Sequence, residues 1–73
     1  MGLPTFDIFR GKFGDSDVLW IEAVQGLGNA VDQMLAVASK EPGAYFVFRT
    51  RSHAVLASVD TENGRTEVKL KSA

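Results

Sequence analysis

Gly26 to Phe48 constrains the fold more than any other stretch of this chain: one helical repeat, a Pro-Gly stop, then a dense aromatic strand. Leu27, Ala30, Val31, Met34, Leu35 and Ala38 recur at helical spacing, which predicts a helix over about Leu27 to Ser39. Glu41-Pro42-Gly43 ends it, because proline cannot continue a helix and glycine permits the chain to reverse. Tyr45-Phe46-Val47-Phe48 follows at once. Such a pattern places a single helix across an antiparallel sheet. It speaks to architecture and surfaces, and it carries no chemistry.

The flanking segments supply the sheet. Thr5 to Arg10 alternates, with Phe6 and Ile8 on one face and Asp7 on the other, and reads as a first strand. Gly11 to Asp17 is a turn rich in Gly, Asp and Ser, short enough to make a hairpin with a second strand over Val18 to Val24. Parity puts Leu19, Ile21 and Ala23 on one face of that strand and Val18, Trp20 and Glu22 on the other. Ala44 to Thr50 is a third strand, Arg51-Ser52-His53 a tight turn, and Val55 to Val59 a fourth strand. Asn63-Gly64 is a strong hairpin signal, because both residues tolerate positive φ. Arg65 to Lys71 then alternates charge with Val68 and Leu70, as a protected edge strand does.

The expected fold class is therefore α+β: a small antiparallel sheet of four or five strands with one helix on one face, in the order ββαββ. Residues 1–73 form one domain, with neither internal repeats nor a low-complexity linker. The expected core is Phe6, Ile8, Leu19, Ile21, Leu27, Val31, Met34, Leu35, Phe46, Phe48 and Val55 or Leu56, with Met34 and Leu35 facing Phe46 and Phe48. The helix start is weak. Gly26 is a poor cap and Gly28 costs about 1 kcal/mol relative to alanine, so the helix must depend on packing.

Phe6-Asp7-Ile8-Phe9, Leu19-Trp20-Ile21-Glu22-Ala23-Val24, Gly26-Leu27 and Pro42-Gly43-Ala44-Tyr45-Phe46-Val47-Phe48 together resemble small uncharacterised bacterial proteins. The resemblance covers roughly residues 5–59. It implies no catalytic residue, since that group brings no activity with it.

Composition narrows the class further. With 73 residues and no cysteine, the chain has neither disulfides nor thiolate metal sites to stabilise it. Extra stability would come from packing or self-association. No apolar run is long enough to span a membrane and no signal-peptide core follows the start, so the expected location is cytoplasmic. An N-myristoylation pattern would need Ser or Thr where Phe6 stands. The net charge of −1 divides into −3 over residues 1–43 and +2 over residues 44–73, well short of the basic excess of nucleic-acid modules.

Reactive constellations are equally sparse. The only histidine, His53, lies in a turn beside Ser52, with Asp60 and Glu62 further on, and reads as a solvated turn residue. Asp15 and Asp17 mimic the start of a calcium loop, but Leu19 occupies the next ligand position. Gly26-Leu27-Gly28 opens the helix without the third glycine or Lys-Ser/Thr pair of a phosphate cradle. Neither a cofactor nor a metal is implied, and no enzyme.

What remains is the sheet face away from the helix. Parity assigns it Phe9, Val18, Trp20, Tyr45, Val47 and Arg49, an aromatic patch of the kind that marks protein interfaces. The expectation is a non-catalytic protein-interaction or self-associating module. A homodimer or another protein would occupy this face. The alternative is weak single-stranded nucleic-acid binding through Tyr45, Trp20 and Arg49, since exposed rings on a sheet can stack on bases.

Overall fold

A computed structural model of the chain describes residues 2–61 and 66–70. Its elements are β1 (Thr5–Arg10), β2 (Leu19–Gln25), α1 (Leu27–Lys40), β3 (Ala44–Arg49), β4 (Ala54–Asp60) and β5 (Glu67–Leu70). The five strands form one sheet in the order β2-β1-β3-β4-β5, and every neighbouring pair is antiparallel. The chain is thus α+β, with the helix packed against the strands. The Asn63-Gly64 turn lies outside the described residues, and Glu67–Leu70 is the part of the expected last strand seen as β5. No helix among the described residues is long and apolar enough to cross a membrane.

Because β1 pairs with both β2 and β3, those two outer strands run parallel, and α1 makes the crossover between them. Gly26 starts the helix at φ 86°, a left-handed conformation that L side chains rarely adopt, and no side chain caps it. Its amide instead donates to the Pro4 carbonyl at 2.8 Å. With so little help at its start, the helix depends on burying Ala30, Met34 and Ala38. At the other end the Glu41 amide donates to the Val37 carbonyl, and the Tyr45 hydroxyl donates to the Glu41 carbonyl at 2.6 Å. Arg10 reaches the Glu41 carboxylate at 3.4 Å while its guanidinium lies 5.7 Å from the Tyr45 ring. Thr61 closes the corner, its amide and hydroxyl both bonded to Gly43.

The core under the helix consists of Phe6, Ile8, Ala30, Met34, Ala38, Tyr45, Val47, Ala57 and Val59. Here the structure corrects the expected register of β3. Tyr45 and Val47 are 1% and 0% exposed and face the helix, whereas Phe46 and Phe48 point to the opposite side. The reason is the pairing with β1: Ile8 sits opposite Val47 and Phe9 opposite Phe46, so the helix-facing parity of β1 fixes that of β3. Alanines at positions 30, 38 and 57 let the helix approach closely enough to enclose the Tyr45 ring.

A second correction falls on β2. The register shifts between Ile8 and Phe9, so that Ile8 pairs with Glu22 and Phe9 with Trp20, leaving Ile21 as the extra residue of a bulge. Strict alternation therefore fails within this strand. Glu22 turns toward the helix, where its carboxylate accepts from Gln33 Nε2 at 2.9 Å, while Ala23 pairs with Asp7 on the other face. Leu19 and Leu27, expected in the core, are both exposed. Ile21, Val31, Leu35 and Leu56 are half-buried at its margin.

Candidate functional site

The face away from the helix carries four phenylalanines from three segments. Phe9 of β1 stacks on Phe46 of β3 with ring centroids 5.1 Å apart and planes 14° from parallel. Phe48 meets both edge-on, at 6.2 and 6.5 Å. The fourth, Phe13, comes from the β1–β2 turn and folds back over the sheet, stacking on Phe48 at 5.7 Å and standing edge-on to Phe46 at 5.7 Å. That fold-back starts at Gly11, whose φ of 120° turns the chain and whose amide donates to the Ala44 carbonyl at 2.7 Å. A Cβ at Gly11 would also meet the Val18 side chain at 3.0 Å. His53 extends the cluster, its ring 6.3 Å from Phe48 in a T-shaped contact.

Trp20 lies beside this cluster on β2, cross-strand from Phe9. Its indole N–H donates to Asp7 Oδ1 at 3.2 Å, and Asp7 Oδ2 accepts from the Thr50 hydroxyl at 2.8 Å. One carboxylate thus ties the outermost strand to the end of β3. Trp20 keeps an orientation on the sheet yet remains 59% exposed, and Phe13 is 63% exposed. Rings held in place and still wet are suited to contact with another molecule, because little side-chain entropy is left to lose on binding. On the β5 side, Phe13, Phe46 and Val55 form the apolar wall of an open groove of about 470 Å³, with Ser58, Glu67 and Lys69 at its polar side.

Of the expected site residues, the structure brings Phe9 and Trp20 together on this face. Tyr45 and Val47 are enclosed beneath the helix, and Arg49 lies on that side too, its guanidinium 5.7 Å from the Phe6 ring. Val18 precedes β2 in the turn, half-buried against Gly11. The residues that sequence reasoning missed are Phe13, Phe46, Phe48 and Asp7. Phe13 had a legible signal, a lone large ring in a polar turn. Phe46 and Phe48 did not, since β3 is apolar at both parities.

The polar candidates remain scattered. Among the described residues, no group of three or more His, Asp or Glu side chains is placed to hold a metal ion. Asp15 and Asp17 are exposed in the β1–β2 turn, and His53 sits at φ 52° in the β3–β4 turn with its ring against Phe48. Compared with protein-family models, curated proteins and solved structures, the chain matches none.

Proposed function

We propose that this chain is a non-catalytic module for protein interaction and self-association, with the sheet face opposite the helix as its surface for partner proteins. The observation that carries this reading is the exposure of Trp20 and Phe13 over an ordered bed of Phe9, Phe46 and Phe48. Water contact with these rings forgoes roughly 25 cal/mol for each Å² that a partner would cover. Aromatic side chains fixed in this way are also the commonest anchors of protein interfaces. Single-stranded nucleic acid is the less favoured ligand. Tyr45 and Arg49, two of its three expected contacts, lie on the other face, while on the aromatic side the strand registers set Asp7, Asp60 and Glu67 against one cation, Lys69, among the described residues.

Panning a random peptide library against the immobilised domain tests the reading. Enriched peptides should lose about tenfold or more in affinity in Phe13→Ala and Trp20→Ala, and should keep it in Arg49→Ala. Both rings are largely exposed, so neither change removes the core. A library that yields no binder, or binders indifferent to both rings, contradicts the proposal. Mixed oligonucleotides bound tightly at physiological salt would favour the nucleic-acid reading instead.

A further inference from the structure

The two edges of the sheet are built differently. Among the described residues β5 covers Glu67–Leu70, and its Glu67 and Lys69 pair with each other at 3.7 Å, charge of the sort that discourages strand addition. β2 is seven residues long; it bulges at Ile21 and turns Glu22, its sole charged side chain, toward the helix, so what opens this edge is its length and its exposed apolar side chains. Leu19 is 64% exposed on it and Trp20 nearly as much. Among the described residues only β1 is paired with β2, so the outer backbone groups of β2 face away from the sheet.

We infer that β2 is the seam of a two-fold homodimer, pairing antiparallel with β2 of a second copy to make one continuous ten-stranded sheet. The inference rests on the self-associating half of the function proposed above and assigns it to the edge of the sheet, not to its aromatic face. The side-chain pattern selects both the partner and the register. Leu19, Ile21, Glu22 and Val24 lie toward the helix, and Trp20 and Ala23 lie on the aromatic side.

A two-fold axis perpendicular to the sheet keeps both helices on one side, so paired residues must share a face. Registers that set Trp20 opposite Val24 or Glu22 break this rule. The register pairing Leu19 with Val24, Trp20 with Ala23 and Ile21 with Glu22 obeys it throughout. It depends on the bulge at Ile21, without which residues of opposite parity would never share a face.

In that register the pairs are also complementary in shape and polarity. The large Trp20 indole covers the small Ala23 of the partner, and exposed Leu19 meets Val24. Each Glu22 is held by its own Gln33 at 2.9 Å, beside the partner's isoleucine instead of directly opposite its glutamate. The dimer would set two aromatic faces edge to edge on one broad surface.

Cysteine cross-linking tests this directly, since the natural chain has no cysteine. Sedimentation at high micromolar concentration should give twice the chain's mass. Leu19→Cys/Val24→Cys should form an intermolecular disulfide on mild oxidation, whereas Leu19→Cys alone and Leu19→Cys/Ala23→Cys should not. Leu19→Lys, at a site off the aromatic face, should raise the dimer dissociation constant about tenfold or more. Phe13→Ala should leave it unchanged. A dimer that ignores Leu19→Lys and weakens with Phe13→Ala would overturn the edge assignment while supporting the face. A clean monomer would overturn both self-association and the seam, and peptide binding would then decide the face reading alone.

Discussion

Both faces of this sheet are apolar, yet they differ in what covers them. One face is closed by a helix: Met34, Ala30 and Ala38 descend onto Ile8, Tyr45, Val47, Ala57 and Val59, and polar ends find partners, as when the Tyr45 hydroxyl reaches the Glu41 carbonyl. Among the described residues the other is covered by its own rings and by two turn residues, Phe13 and His53. Small residues distinguish the closed face, because a helix needs them to come close. Large flat rings distinguish the open one, where they spread over one another and leave Trp20 and Phe13 in water. Burial on the first face holds the fold; the exposed rings of the second are the surface proposed for binding.

Substitutions on the closed face should therefore have the largest effect on stability. Met34→Ala removes a fully buried side chain at the helix–sheet contact and is expected to cost about 2–5 kcal/mol. In a domain of this size that is enough to unfold many molecules. Leu35→Ala, at the half-buried margin, should cost clearly less, and urea melts of the two variants would measure the difference. Equal losses would show that the helix presents a different stripe to the sheet. Tyr45→Phe keeps the ring and deletes the bond to Glu41, so about 0.5–1.5 kcal/mol should disappear from the same melts. No loss would mean the hydroxyl reaches water as readily as the helix end.

How far this contrast was legible in the sequence depends on the strand. Thr5–Arg10 carries polar Asp7 between Phe6 and Ile8, so its faces could be read directly. The helix was equally readable from its repeat and from Pro42-Gly43, and it runs over Leu27–Lys40. In β3 both parities are apolar, and only pairing with β1 decides that Val47 faces Met34 and Phe46 does not. The bulge at Ile21 is a local change of register that alternation alone does not reveal. The first put Tyr45 and Val47 into the core and Phe46 and Phe48 onto the open face; the second turned Glu22 toward the helix. The existence of an aromatic open face was legible; of its members, Phe9 and Trp20 follow from strand parity, and Phe13, Phe46 and Phe48 do not.

A smaller effect is expected at the rim of that face. His53 adopts φ 52°, in the left-handed region where glycine is at ease and a residue with a Cβ is less so. His53→Gly should stabilise the chain by about 0.5–1 kcal/mol through relief of that conformation, offset in part by the lost contact with Phe48. A higher melting midpoint with unchanged peptide binding would confine His53 to the turn. A loss of binding would enlarge the face to include it.

The most direct test of the division between the two faces is an NMR titration with a peptide taken from the library selection. The ring signals of Phe9, Phe13, Trp20, Phe46 and Phe48 are expected to shift, with those of Met34, Ala38 and Val47 nearly still. Shifts concentrated instead on the outer helix, at Asp32 and Ala36, would contradict the account.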